Sequence, residues 1–132
     1  MITIETSGFI PIYEQIKKGI KSEISLGVLK ASEALPSIRD LAAELVINPN
    51  TVARAYRELE HEGLICTRKG KASFVSENSS SLIQKDTVRL MEDVFDRAIS
   101  EARKFGLDAA EIRRIVESRL KNQEKRGEGE GR

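Results

Sequence analysis

At 132 residues, 39% of them hydrophobic and 5% aromatic, with no tryptophan, the chain has room for one small domain with an appendage and a modest helical core, not a large ligand cavity. Lysine and arginine (22) nearly balance aspartate and glutamate (21), so the net charge of +1 argues for no partner and only local clustering can. One cysteine and one histidine exclude an intrachain disulfide and a multi-histidine metal site, and no carboxylate pair adjoins an apolar pocket, so neither a cofactor nor catalysis is expected.

The opening MITIETSGFI lacks the basic stretch and apolar run of an export signal. No apolar run is long enough to cross a bilayer, so a soluble, cytoplasmic chain with no membrane partner is expected. Residues 2–10 are expected to be extended. Pro11 then opens a helix with an apolar stripe of Tyr13, Ile16, Ile20 and Ile24, ended by Gly27. Gly19 inside it costs about 1 kcal/mol relative to alanine, so the helix depends on its packing partners.

The stretch from Leu35 to Val75 organises the rest. Its first helix begins at Ser37, whose hydroxyl can accept from the Asp40 N–H, and carries Ile38, Leu41, Ala42 and Leu45 on one face. A second helix opens on Asn48 and Pro49, buries Val52, Ala55, Tyr56 and Leu59, and stops at Gly63. Opposite Val52 and Tyr56 lie Asn50, Arg54 and Arg57, flanked by Thr51 and Ala53. Small polar groups and an arginine near a helix N-terminus suit entry into the major groove, where arginine pairs with guanine and asparagine with adenine. An ordinary solvated face is the competing reading; the order of neighbouring elements favours the first.

Leu64 to Arg68 and Ser73 to Val75 are expected to pair as strands around a basic tip of Lys69, Gly70 and Lys71, placed to meet phosphate or the minor groove. A charged loop that only aids solubility is the plainer alternative. Cys66 is expected half-buried and reduced on the first strand, and His61 to cap carbonyls or meet phosphate. GKAS at Gly70 is no phosphate loop, because Ile65 and Ala72 occupy positions that need glycine and serine or threonine. The fold expected is mainly α with a small β-hairpin: a winged helix-turn-helix whose leading partner is duplex DNA.

Residues 77–81, polar and serine-rich, read as a hinge. The helix expected over 82–105 carries Val88, Met91, Phe95, Ala98, Ala102 and Phe105 at three- and four-residue steps, widened by Leu90, Val94 and Ile99. So broad a stripe, with little left in the chain to cover it, points to a partner subunit. Gly106 breaks the helix, and Asp108 with Glu111 forms a capping box flanked by a Leu107–Ile112 staple. A last helix then buries Ile112, Ile115, Val116 and Leu120. Residues 121–132, KNQEKRGEGEGR, are expected to be disordered. The expected division is thus a DNA-binding domain over 1–76, a hinge over 77–81, a dimerisation segment over 82–120 and a tail.

PIYEQI (11–16), LPSIRDLA (35–42), NPNTVARAYRELEHEGLI (48–65) and KGKASFV (69–75) together resemble the GntR family of bacterial transcription regulators. NPNTV and RAY, joined to a short C-terminal region, resemble its YtrA-type subfamily. The resemblance implies a homodimer on a palindromic operator, joined through its C-terminal helices, and relatives of this type often control transporter operons. It places DNA contacts on Arg39, on Pro49, Asn50, Thr51, Ala53 and Arg54, and on Lys69 and Gly70. Ser37, Arg57 and Lys71 complete the expected set. Ala72 and Ser32 depart from the family pattern, each standing where it usually has a glycine. Two alternatives stay open: a winged-helix module that binds only protein, and an unspecified small-molecule effector among Met91, Phe95 and Phe105.

Overall fold

A computed structural model describes residues 2–68 and 72–130, with side chains as far as residue 127. The expected wing tip, Lys69, Gly70 and Lys71, lies outside the described residues. Helices α1 (Ile12–Ser25), α2 (Ile38–Leu45) and α3 (Pro49–His61) precede strands β1 (Ile65–Thr67) and β2 (Ser73–Val75). Helices α4 (Ser79–Lys104) and α5 (Ala109–Glu130) follow.

Residues 1–87 form one compact unit. In α1, Ile16, Ile20 and Ile24 are buried at four-residue steps. Gly19 is there for space: a Cβ on it would stand 2.8 Å from Ile2 Cγ1, because the N-terminal segment crosses the helix at that point. In α2 the Ser37 hydroxyl accepts from the Asp40 N–H at 3.0 Å, and in α3 Asn48 Oδ1 accepts from the Asn50 N–H at 2.9 Å ahead of Pro49. Val52, Ala55, Tyr56 and Leu59 close the core against α1, α2 and the strands. Tyr56 also donates its hydroxyl to the Pro36 carbonyl at 2.7 Å, tying α3 to the entry of α2, and burial pushes its pKa up to about 12.

Gly63 ends α3 at φ +80°, with the Leu64 N–H returning to the Leu59 carbonyl at 3.0 Å. α2 ends with the same geometry on a residue unsuited to it: Val46 sits at φ +56° while the Ile47 N–H reaches the Ala42 carbonyl at 3.0 Å. A β-branched residue in the left-handed region costs about 1–2 kcal/mol. The tight turn between the two helices imposes it. Ser32 is likewise left-handed, at φ +67°, where the resembling family has glycine.

β1 and β2 pair antiparallel with Ile65 opposite Val75, Cys66 opposite Phe74 and Thr67 opposite Ser73. An unexpected third segment joins them: Ala34 bridges Phe74, and the Ser32 and Leu35 N–H groups donate to the Val75 and Ser73 carbonyls, both at 2.8 Å.

Several expectations are corrected. Ile38 is 37% exposed, because at the first turn of α2 it lies at the rim of the core rather than inside it. Cys66 is exposed, since it points to the opposite face of β1 from the buried Ile65. The stretch expected as a hinge is helical from Ser79, which is itself buried, and Ile83 joins the core of the first unit. The stretch from Lys121 that was expected to be disordered continues α5 to Glu130; Lys, Gln, Glu and Arg are good helix formers, although residues 121–127 bury nothing.

The second unit, residues 88–132, holds the rest of α4 and α5. Asp108 and Glu111 form the expected reciprocal cap: the Asp108 N–H donates to Glu111 Oε1 at 3.2 Å and the Glu111 N–H to Asp108 Oδ1 at 2.9 Å. Ile112 is half-buried, but Ile115, Val116 and Leu120, expected inside, are exposed in the single chain. Among the described residues, no helix is long and apolar enough to cross a membrane.

Candidate nucleic-acid interface

The candidate DNA-contacting residues sit on the face of α3 opposite its core stripe and on the adjoining end of α2. Asn50, Arg54 and Arg57 are exposed, while Thr51 and Ala53 are half-buried along the flanks of the helix. Ser37 and Arg39 are exposed at the start of α2, and Arg39 lines one shallow notch with Asn48 and Pro49. That notch runs along α2 to its C-cap Val46 and ends at the start of α3, whose first-turn N–H groups favour negative charge.

Arg54 does not stand free in solvent. Its guanidinium lies 3.7 Å from the centroid of the Tyr13 ring on α1, and its Nε donates to Glu58 Oε2 at 3.1 Å. Glu58 accepts in turn from Lys17 Nζ at 3.1 Å; Lys17 also meets Glu62 at 3.1 Å, and Lys21 meets Glu62 at 3.2 Å. These ion pairs clamp α1 along α3. Thr67 extends the link to the hairpin, donating to Glu60 Oε2 at 3.3 Å.

Sequence reasoning missed three members of this surface. Tyr13 was read only as core packing, yet its ring underlies Arg54. Lys17, the residue after the apolar Ile16, is 7% exposed among carboxylates. Arg68, in the hairpin, stacks 4.9 Å from the centroid of Phe74 and keeps positive charge beside the tip. No local signal marked Lys17: only the packing of α1 on α3 brings it between Glu58 and Glu62.

The clamp has a definite pH signature. Burial lowers the Lys17 pKa, but hydrogen bonds to Glu58 and Glu62 and the charges of Glu62 and Glu14 outweigh it, so the net value is raised above 10.5. The Lys17 hydrogen bond holds the Glu58 pKa below its ordinary value, with Arg54 adding to the effect. Stabilisation through Glu58 is therefore full above its unfolded pKa and lost as pH falls through the folded one. Stabilisation through Lys17 is full below its unfolded pKa and lost as pH rises through the folded one. Thermal melts from about pH 3 to about pH 11 should show the wild type exceeding Lys17→Met most at neutral pH, by about 1 kcal/mol after allowance for exposure. A gap independent of pH would rule the clamp out.

Among the described residues, no group of three or more His, Cys, Asp or Glu side chains could hold a metal ion. An apolar cleft of about 190 Å³ lies between α1, α2 and Tyr56, below the usual size of a ligand pocket, about 300–1,000 Å³.

Comparison with known proteins bears on the family and the fold. Residues 12–75 match the family described as bacterial regulatory proteins, gntR family. The chain is 35% identical over 112 residues to the HTH-type transcriptional repressor YtrA of Bacillus subtilis, covering 85% of this chain and 86% of that one. Its structure resembles a transcriptional regulator from Oenococcus oeni at a TM-score of 0.75 and 37% identity, over 91% of this chain and 99% of the other. It also resembles YtrA from Sulfolobus acidocaldarius, a GntR-family transcription factor, at a TM-score of 0.60 and 33% identity, over 75% and 97% of the two chains. With its winged helix-turn-helix and its helical C-terminal region, the chain belongs to the GntR family, YtrA type, and is a DNA-binding transcription regulator rather than an enzyme.

Proposed function

We propose that the protein is a repressor that binds a palindromic operator as a homodimer, each protomer laying α3 in the major groove of one half-site. One observation carries the reading: α3 is locked into the core along Val52, Ala55, Tyr56 and Leu59 while Asn50, Arg54 and Arg57 stand on its outer face. A rigid helix with a polar, arginine-bearing outer face is suited to reading base edges. Ser37, Arg39 and Pro49 would fix the helix ends against phosphates, with Thr51 and Ala53 allowing close approach. Lys69, Gly70 and Lys71 would hold the neighbouring backbone.

The bare stripe on α4 supports the dimer. Val88, Met91, Val94, Phe95 and Phe105 are exposed in the single chain, with Ala98 on the same face and Ile99 and Ala102 half-buried beside them. Ile112, Ile115 and Val116 would extend the interface along α5. By its likeness to the YtrA type, the regulated target is proposed to be a transporter operon.

Selection of bound duplexes from a random pool tests the proposal. Selected sequences should share an inverted motif with half-sites about one duplex turn apart, and affinity should fall steeply with salt. Arg54→Ala should cost about 1–3 kcal/mol and relax preference at one position in each half-site. A uniform loss across all sequences would remove Arg54 from base reading. Selected duplexes without an inverted motif, or binding without a salt slope, would remove the operator-binding reading.

A further inference from the structure

The Arg54 guanidinium has three edges, and the structure occupies only one. Its Nε is engaged by Glu58 at 3.1 Å, and one face is covered by Tyr13 at 3.7 Å. The two terminal nitrogens have no hydrogen-bond partner among the described residues. Glu58 is itself held by Lys17 at 3.1 Å, so the anchor does not swing freely. What remains is a planar two-pronged donor whose base is held by Glu58 and whose face is covered by Tyr13. Tyr13 belongs to α1 rather than to the reading helix, so the device is built across two elements.

We infer that Tyr13 is a positioning residue for Arg54, holding the free fork of its guanidinium in one orientation so that it meets a paired acceptor on duplex DNA. The inference rests on the proposed role of Arg54 in reading DNA and deepens it. A free arginine side chain loses rotamer freedom when it binds, and a fork already stacked and paired loses less. A cation over an aromatic face is attracted to it, so the ring favours one side of the helix over the alternatives. The consequence is a restriction: the fork can address only acceptors on the α1 side of α3. Ring stacking is what this role requires, and the phenol hydroxyl is not.

The test is a double-mutant cycle in the full chain, read on the selected operator and on duplexes altered at each half-site position. Tyr13→Leu, which keeps an apolar contact with the core, should weaken operator binding about three- to tenfold. It should also flatten preference at the position Arg54→Ala flattens. Tyr13→Phe should stay within about twofold of the wild type, because it keeps the ring. Tyr13→Leu combined with Arg54→Ala should bind no more weakly than Arg54→Ala alone. Thermal melting of each variant separates these effects from loss of fold. A neutral Tyr13→Leu, or a double-variant loss equal to the product of the two single losses, overturns the inference and leaves the role of Arg54 standing. A neutral Arg54→Ala overturns the role of Arg54 and the inference with it.

Discussion

Leu59→Ala is expected to cost about 2–5 kcal/mol and to abolish stable folding of the first unit at physiological temperature. Leu59 is fully buried, and it stands where α3 meets α1 and the hairpin, so removing its isobutyl group leaves a cavity that neither side can close alone. The effect is large because the domain is small. A core of this size leaves only a few kcal/mol of net stability, so one cavity consumes most of it. Denaturant unfolding of the variant beside Ile38→Ala checks the argument. The second change, at a rim position, should cost less than about 1 kcal/mol. Equal losses at both positions would mean that the core is not centred on α3.

Replacing Met91 and Phe95 together by aspartate should convert the protein to a monomer and weaken operator binding by about 10²–10⁴-fold. Both side chains are exposed on α4 in the single chain, so the change removes no contact from the winged-helix core. Two like charges at the centre of an apolar seam oppose pairing through desolvation and repulsion. The loss of affinity follows from geometry: two linked half-site readers bind as one, and a single reader forfeits the effective concentration its partner supplied. Sedimentation equilibrium and operator titration together decide the matter. A variant that stays dimeric would move the interface elsewhere. A monomeric variant with unchanged affinity would separate dimerisation from DNA binding.

Much of this protein was legible in its residues. Ser37 and Asn48–Pro49 marked the helix starts because caps are local: the hydrogen bond closes within three residues and needs no distant partner. Gly63 and Gly106 marked helix ends for the same reason, and the Asp108–Glu111 box was found where its spacing put it. The core stripe of α3 followed from its period, and the combined motifs pointed to the family that the comparisons bear out.

Other features depended on the assembled fold. Nothing local announces the left-handed turn at Val46; the angle between α2 and α3 demands it, and packing absorbs the strain. Ala34 has no strand signal, and it pairs only because β2 offers an open edge beside it. The Ser-rich stretch after the hairpin looked like a hinge by composition, yet Ile83 finds a place in the core and draws Ser79 into the helix with it. Most consequential is Arg54. Periodicity placed it on the outer face of α3, but its orientation comes from a tyrosine 41 positions earlier and a carboxylate held by a second helix. Sequence spacing fixes which face a side chain leaves from, because that depends on one helix. Where its charged end comes to rest depends on which other elements pack nearby, and only the tertiary structure decides that.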